Sequence, residues 1–444
     1  MSDRAFKLAL AAIVAVALVI RVVAAVDANS AAPASDAADF DRHGVSIANG
    51  DGYPEALEVV GGPGPSAFRP PAYPAVLGAV YVLSGTDDDS HRWLYGRLAQ
   101  AVIGAIVVAL IALIALQVWG RRPALIAAAI AAAYPPLILA GTSLLTEPLF
   151  TALLLGGVLA LLRYRLAGGL VPWLVVAGIC AGLAALTRGN GVAIAIALAL
   201  GAWAGRPRFS LRALAAPAIV VVSAALVVVP WTVRNAVVLD AFVPVTTQSG
   251  TALAGMYNDV AKANDWRWIG PWSLPEYRSL FDGKPLGEVE VNKRLTDGGF
   301  DYIGDHPESL AAVGFRNTLR VFSLRNAVPL ERESAAVLGE PLDLAQASVY
   351  AFWLLALLAI AGAFTPLARP MPRFVWAIVP ILVVSVVFLG GNQRYRAPLE
   401  PIFILLAAAA VESAWGRLTA NRNSEWPAGS ETRLSTGSSA ANTR

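Results

Sequence analysis

Six short stretches of the sequence contain charged residues of the kinds that handle phosphate groups and protons. Carboxylates stand in two of them: Asp36 and Asp39 in SDAADF, and Glu147 in SLLTEPLF. Arginines stand in the other four: Arg69 in SAFRPPAYP, Arg188 in LTRGNGV, Arg234 in PWTVRN, and Arg394 and Arg396 in NQRYRAPLEP. A guanidinium group holds phosphate oxygens with a rigid fork of donors, and a carboxylate can take the proton of an attacking hydroxyl. Together these residues predict chemistry on a compound that carries a phosphate.

Each of these residues also has a purely structural interpretation. Asp36 can cap a helix, Asp39 can be a solvated helix residue, and Glu147 can stabilise the positive end of a helix dipole. The arginines can extend toward lipid headgroups without any specific task. Asn258 in GMYNDVA is a weaker candidate for substrate binding, because an asparagine also suits a turn there. The chemical interpretation therefore requires that these residues meet in space.

The composition indicates which elements position them. Hydrophobic residues make up 57% of the 444 residues and charged residues 15%, whereas soluble domains carry roughly 25% charged residues. Apolar stretches of about 20 residues, enough to cross a bilayer, recur along the chain. We predict an all-α polytopic membrane protein with about ten transmembrane helices. The predicted spans are 5–26, 96–119, 123–141, 146–163, 171–187, 190–204, 212–232, 347–365, 373–390 and 398–415.

Basic residues cluster at every second loop between these spans. The clusters are Arg4 with Lys7, Arg121 with Arg122, Arg163 with Arg165, Arg206 with Arg208 and Arg212, and Arg369 with Arg373. The positive-inside rule makes these loops cytoplasmic, so both termini are expected inside and the six charged stretches outside. Only four of the 34 basic residues are lysine, which indicates the coding bias of a GC-rich bacterium. We expect a multi-pass protein of a bacterial cytoplasmic (inner) membrane.

The predicted domain organisation follows from these spans. One transmembrane domain covers 1–416, and its first span is expected to be a membrane helix and not a cleaved signal peptide. Two long external segments with juxtamembrane helices cover 27–95, which holds the acidic stretch, and 233–346. Residues 417–444, rich in Ser, Thr, Asn and Arg, are predicted to form a disordered cytoplasmic tail.

Other kinds of site have no signal in the sequence. No phosphate-binding loop or GxGxxG motif indicates a nucleotide site, and the basic residues flank apolar runs, so no nucleic-acid partner is expected. Cys180 is the single cysteine and the three histidines are scattered, which excludes an internal disulfide and argues against a His-based metal site. No cofactor is predicted. A divalent metal stays open but is not indicated, since Asp36 and Asp39 are three residues apart and not adjacent.

The ordered set of stretches resembles the bacterial members of the GT-C superfamily. These are glycosyltransferases that use polyprenyl-phosphate sugars and are related to protein O-mannosyltransferases and aminoarabinose transferases. Their first-loop pattern, D-A-x-x-Y-x-x-x-A-x-x-L-A-x-G-x-G-Y, corresponds to residues 36–53, with Phe40 in place of the tyrosine, Gly44 in place of the alanine and Ile47 in place of the leucine. PSAFRPPAYPAVLGAVYVLSG (65–85) is similar to the family's Pro-rich juxtamembrane helix.

The later stretches LLTEPLF, GLAALTRGNG, PWTVRN and RYRAPLEP also follow in the family's order, so the resemblance extends to about residue 415. Each motif alone is weak, and the ordered set is specific. The resemblance implies that Asp36 is the catalytic base and that Glu147 orients the acceptor or supports the site. It implies that the arginines at 188, 234, 394 and 396 hold the lipid phosphate; Arg69, Asp39 and Asn258 are further candidates for substrate binding.

The sequence therefore predicts an enzyme. It would transfer a sugar from a polyprenyl-phosphate donor to a hydroxyl of a glycan, glycolipid or protein acceptor at the outer face of the membrane, with inversion as the resemblance implies. The main alternative is a secondary transporter or lipid flippase with an external polar site, although the spans are apolar at their centres and show no internal repeat. A second alternative is a non-catalytic assembly protein with a degenerate site.

Overall fold

The computed structural model describes residues 1–166, 168–203, 209–282 and 286–424, and its named elements in those ranges are helices. The first four α-helices contain two membrane-length helices and, between them, the first predicted external segment. They are α1 (Asp3–Ala28), α2 (Asp36–Ala48), α3 (Ala72–Ser84) and α4 (Asp89–Trp119). Helices α1 and α4 run antiparallel: Arg121, just after α4, donates to the carbonyl of Met1, while Arg97 near the start of α4 donates to Asn29 just after α1.

The middle of the chain forms the second group of apolar helices. They are α5 (Arg121–Ala133), α6 (Pro135–Leu139), α7 (Glu147–Leu166), α8 (Val171–Ala185), α9 (Val192–Ala202) and α10 (Leu211–Leu239). The predicted span 123–141 is not one helix, because Tyr134 is extended (φ −77°, ψ 112°) between α5 and α6. Two prolines follow it, and a residue before proline avoids the helical conformation, while proline itself lacks the helical donor.

The second external segment and the final helices complete the chain. They are α11 (Gln248–Met256), α12 (Asp259–Ala263), α13 (Glu288–Asp305), α14 (Glu308–Val321), α15 (Ala327–Leu338), α16 (Leu342–Ala363), α17 (Arg373–Val387) and α18 (Glu400–Ser424). Helix α18 continues past the predicted domain end at 416. The rest of the predicted tail, 425–444, lies outside the described residues, as do Arg206 and Arg208 of one predicted cytoplasmic loop.

The described part of the chain confirms an all-α polytopic membrane protein. Six of its helices are long and apolar enough to cross a bilayer, namely α1, α4, α7, α10, α16 and α18. Helices α8, α9 and α17 are shorter apolar helices, and α5 with α6 occupies the remaining predicted span. Helices α16 and α18 approach closely at Gly362, where a Cβ atom would collide with the carbonyl of Leu406. Such small-residue contacts hold helices together in membranes.

The two ends of the helix bundle differ in their charged residues. At one end, Arg121 lies 3.0 Å from Asp3 and Arg122 lies 3.6 Å from Glu412 in α18. The predicted cytoplasmic cluster of Arg121 and Arg122 therefore stands beside both the start of α1 and the last helix. The two predicted external segments and the start of α7 lie at the other end, where most of the acids and arginines of the motifs come together.

Candidate functional site

Asp36 opens α2 and joins two distant parts of the chain. Its Oδ1 atom accepts a hydrogen bond from Nη2 of Arg69 at 2.8 Å, and its Oδ2 atom accepts one from Nη2 of Arg394. Ser35 before it makes no side-chain capping bond and has φ +53°, a left-handed conformation that is costly for a residue with a side chain. The Asp36 carboxylate therefore serves the two arginines and does not simply cap a helix.

Asp39 stands one turn further along α2 and shares Arg69 with Asp36. Arg69 Nε donates to Asp39 Oδ2 at 2.7 Å, and Arg42 donates to Oδ1 at 3.0 Å. The Asp39 side chain is 6% exposed. A forked guanidinium between two carboxylates is a strong, directional arrangement.

Phe40 and its neighbours hold the Arg69 guanidinium in place. The guanidinium carbon lies 4.9 Å from the centre of the Phe40 ring and 5.1 Å from that of Phe68, within the range of cation–π attraction. Phe40 therefore supports Arg69 through its ring, a contact that needs no tyrosine hydroxyl. Gly44 lets α2 approach α3, since a Cβ there would lie 2.8 Å from the Cβ of Leu77.

Glu147 opens α7 and is the second acid of the site. Its side chain is 3% exposed; its Oε1 atom lies 2.6 Å from Nη1 of Arg188 and 3.7 Å from Nε of Arg394. Arg188 follows α8 in an extended conformation and also donates to Thr146 Oγ1 at 3.2 Å. Arg188 and Arg394 both stand outside the α-helices, and from there both side chains approach the buried carboxylate of Glu147.

Arg394 stands in the 3-10 turn Gln393–Arg396, just before α18. Asn392 caps this turn, because its side-chain oxygen accepts from the Arg394 amide at 2.9 Å. From there the guanidinium reaches Asp36 on one side and Glu147 on the other. We refer to Asp36, Asp39, Glu147, Arg69, Arg188 and Arg394 as the charge cluster.

The electrostatics of the charge cluster favour ionised acids and an added anion. Burial alone would raise the pKa of the Asp36 carboxyl, but the positive charges of Arg69 and Arg394 outweigh it and hold that pKa well below its usual range. The pKa of Asp39 is likewise held low against burial, by His43 and Arg69. Counting Arg42, the site has one more guanidinium than carboxylate, so a phosphate group would find unbalanced positive charge.

Three predicted site residues do not join the charge cluster. Arg396 is 2% exposed and pairs with Glu400 at 2.8 Å inside the bundle. Arg234 donates to the carbonyl of Ser66 at 2.6 Å and lies over the rings of Tyr53 and Trp231. Neither arginine makes an ion pair with Asp36 or Glu147 in the described part of the chain.

Asn258 is the third. Its side chain caps α12 by accepting from the Ala261 amide at 2.7 Å, and it donates to the Ala254 carbonyl at 2.8 Å. Both partners lie within the second external segment, so the described contacts of Asn258 are those of a helix cap.

Sequence reasoning missed Glu288, which ties the two external segments together. Its carboxylate accepts hydrogen bonds from Ser66 Oγ at 2.5 Å, the Ala67 amide at 2.8 Å and Thr247 Oγ1 at 2.6 Å. Burial raises the pKa of Glu288 against these hydrogen bonds. The contact fixes the loop that carries Arg69. No local sequence signal identifies it, because GEVEVNKR is typical of an exposed helix start.

Glu340 was also missed, although it borders the charge cluster. It lies in the loop between α15 and α16 and accepts a hydrogen bond from Ser143, four residues before Glu147. Burial and the negative charge of Glu331 raise the pKa of Glu340 to about 8, although the hydrogen bond from Ser143 acts in the opposite direction.

Among the residues that the structure describes, no three His, Cys, Asp or Glu side chains are grouped to hold a metal ion.

Residues 69–233 match the family model described as dolichyl-phosphate-mannose-protein mannosyltransferase, which is under half of the chain but includes Arg69, Glu147 and Arg188. No curated protein sequence matches the chain.

Solved structures resemble the chain in fold. One is the oligosaccharyltransferase AglB from Archaeoglobus fulgidus, in complex with an inhibitory peptide and a dolichol-phosphate: 16% identity, TM-score 0.56, covering 97% of this chain and 52% of AglB. The apo form of the A. fulgidus enzyme gives 15% identity, TM-score 0.56, and covers 94% and 52%. ArnT from Cupriavidus metallidurans bound to undecaprenyl phosphate gives 17% identity and TM-score 0.43, over 94% of this chain and 80% of ArnT.

The chain thus spans about half the length of AglB, with which it shares its fold. The match over 69–233 and the shared fold confirm the resemblance to the GT-C superfamily that the ordered motifs predict.

Proposed function

We propose that this chain, with a mannosyltransferase-like segment and the fold of AglB, is a membrane glycosyltransferase. It would transfer a sugar from a polyprenyl-phosphate donor to an acceptor hydroxyl. One observation carries the proposal: Arg394, from the last of the six motif stretches, lies between the carboxylates of Asp36, from the first, and Glu147 at one end of the bundle. A membrane enzyme that uses a lipid-linked phosphate needs its base and its cations near the end of the membrane helices, where the phosphate of the lipid lies.

The donor phosphate would bind among Arg69, Arg188 and Arg394. Arginine keeps its charge at all working pH values and offers paired donors to phosphate oxygens. In the free protein these donors are occupied by Asp36, Asp39 and Glu147, so a phosphate competes with the carboxylates for them. As the phosphate draws Arg394 toward itself, one oxygen of Asp36 loses its partner and becomes free to accept a proton.

Asp36 is then the base of the transfer step. The acceptor O–H proton moves to the Asp36 carboxylate while the acceptor oxygen bonds to the anomeric carbon. The bond from that carbon to the phosphate oxygen breaks, and its electron pair leaves with the polyprenyl phosphate. Attack from the face opposite the phosphate inverts the anomeric centre. The arginines stabilise the charge that develops on the leaving phosphate, and Glu147 keeps Arg394 and Arg188 in position.

A transporter or flippase is less well supported by the same contacts. Substrate sites of transporters usually lie near the bilayer midplane at interrupted helices. The charge cluster lies where helices α2 and α7 begin, at one end of the bundle. Arg21, which is buried within α1, is bonded to the backbone carbonyls of Ala17, Ala131 and Ala132 and faces no charged partner among the described residues.

The proposed setting is a bacterial cytoplasmic membrane, with the charge cluster outside and both termini inside. It is supported by the basic residues at the opposite end of the bundle. The test is labelling of single cysteines in intact cells, in a Cys180→Ala background, with a reagent that does not cross membranes. Asp51→Cys, on an exposed turn of the first external segment, should react, and Arg122→Cys should react only after the cells are opened. The reverse pattern would overturn the orientation.

The function is tested by reconstituting the purified protein in nanodiscs with radiolabelled polyprenyl-phosphate sugars and membrane extract. Wild type should move label from the lipid phosphate into another product. Asp36→Asn should not, and Asp87→Asn, which changes an exposed acid in the loop between α3 and α4, should behave as wild type. Equal transfer by wild type and Asp36→Asn would refute the proposed base, and no transfer with any lipid-phosphate sugar would refute the function.

A further inference from the structure

A cavity of about 540 Å³ opens between the last turn of α1 and the start of α16. Its principal lining residues are Ala24, Asp27, Arg332, Leu342, Asp343 and Leu344. The apolar residues belong to membrane-length helices, and α1 exposes Val19, Val23 and Val26 along the same helix. The cavity therefore has a charged part and an apolar part that is continuous with a lipid-facing helix.

A single loop separates the cavity from the charge cluster. Pro341 lines the cavity, and Glu340 before it accepts the hydrogen bond from Ser143 in the loop that leads to Glu147. A ligand in the cavity would thus be one loop away from the acids that carry the proposed chemistry.

The charged side chains of the cavity have few partners within the protein. In the described ranges the carboxylates of Asp27 and Asp343 make no hydrogen bond or ion pair, and Arg332 donates to Gln346 at 2.8 Å. Asp343 lies in the first turn of α16, where the helix dipole favours an acid. Asp27 lies in the last turn of α1, where the helix dipole disfavours an acid.

Resting on the proposed function, we propose that this cavity binds the acceptor, and that the acceptor is a membrane lipid with a neutral, hydroxyl-rich headgroup. The two carboxylates can accept hydrogen bonds from neighbouring hydroxyls, and the guanidinium can donate hydrogen bonds to them. Their net negative charge repels the phosphate of the donor, which the charge cluster attracts. The apolar residues beside α1 receive the lipid chain, which a soluble protein acceptor would not need.

Binding is tested with an alkyl glucoside that carries a diazirine in its chain, added to the full-length protein in nanodiscs. After illumination, digestion and mass spectrometry, the label should lie within 24–27 and 341–344. Excess hexyl glucoside should remove it, while hexyl phosphate and a Ser/Thr-rich peptide should not. Competition by hexyl phosphate would make the cavity a phosphate site, and competition by the peptide would make it a site for protein acceptors. Either result, or label elsewhere, overturns the proposal.

Variants test the same contacts by a second measurement. Asp27→Asn combined with Asp343→Asn should weaken hexyl glucoside binding at least tenfold, and Ala24→Phe, which fills the cavity, should abolish the labelling. Asp87→Asn is the matched control for a lost exposed acid. Polyprenyl phosphate binding should stay unchanged in all these variants, which also shows that they fold. Unchanged glucoside binding in the double variant would overturn the proposal.

The two proposals fail separately. If wild type transfers sugar to peptides but the glucoside does not label the cavity, the acceptor inference is wrong and the glycosyltransferase function stands. If no transfer occurs from any lipid-phosphate sugar, the function is wrong whatever the labelling shows.

Discussion

Arg394 donates a hydrogen bond to Asp36 across 358 residues of sequence, and its Nε atom lies 3.7 Å from Glu147. The contact joins the start of α2 to the turn before the last helix. Since Arg69 and Arg188 contact the outer sides of the same two acids, the cluster is a continuous row of alternating charges. Breaking it at different points should have different consequences.

Asp36→Asn should remove the base and leave the phosphate site intact. We expect the rate of transfer to fall by roughly 10²–10⁴-fold, which is the usual contribution of general-base catalysis. Polyprenyl phosphate should bind at least as tightly as in wild type, because Asp36 no longer competes for Arg394 and Arg69. Initial rates and equilibrium binding in nanodiscs measure the two effects. Weaker phosphate binding in this variant would mean that Asp36 organises the site and is not its base.

Arg394→Gln and Arg396→Gln form a matched pair two residues apart. Arg394→Gln should weaken polyprenyl phosphate binding by tenfold or more and leave the protein folded. Arg396→Gln should instead destabilise the fold by about 3–5 kcal/mol, because Glu400 would be left as an unpaired buried charge. Thermal melting and phosphate binding separate the outcomes. A stable Arg396→Gln protein with lost phosphate affinity would restore Arg396 to the site.

The pH dependence of kcat/KM should report the neighbours of Asp36. Arg69 and Arg394 hold the pKa of its carboxyl low against burial, so the base stays ionised into mildly acidic solution. Removing one guanidinium raises that pKa, so the acid limb of the Arg394→Gln profile should move to higher pH. In Arg42→Gln, which loses a partner of Asp39 only, the limb should not move. An unmoved limb in Arg394→Gln would count against Asp36 as the titrating base.

Glu340 should make the protein less stable as pH rises. Its pKa is raised from 4.5 to about 8, so between these values the folded protein keeps a proton that the unfolded chain releases. Because the folded state then binds more protons, the free energy of unfolding falls with rising pH across that window. Glu340→Gln should remove this slope and gain several degrees in melting temperature at pH 8 relative to wild type, but not at pH 4.5. Equal gains at both pH values would contradict the assignment.

Glu288 should control the position of Arg69 without touching the substrate. Glu288→Ala leaves two hydroxyl donors and an amide without their buried acceptor, at a cost of about 1–3 kcal/mol for each unsatisfied group. Limited proteolysis should cut the predicted external segments of Glu288→Ala faster than those of wild type. The rate of sugar transfer should also fall. Glu290→Ala, which removes an exposed ion pair on the same helix, is the control. Equal proteolysis of the two variants would refute the role of Glu288 in joining the segments.

Much of the fold was predictable because hydropathy is a local property. Each predicted span has a helix at its position. One span, 123–141, is divided into two helices at Tyr134, because two prolines follow that residue. Most of the acids and arginines of the motifs also stand at or near helix ends, where a charged side chain can find a charged partner. That pattern, with its order, was sufficient for the resemblance to the GT-C superfamily.

The sequence alone determined which residues carry charge at the ends of apolar helices, since the cost of burying charge in hydrocarbon fixes that pattern. Only the tertiary structure decided which of them meet. Arg394 and Arg396 are equivalent in sequence, yet the turn directs one to Asp36 and the other to Glu400. Glu288, Glu340 and the cavity beside α1 gain their properties from partners far away in the chain, because burial and hydrogen bonding depend on packing in three dimensions.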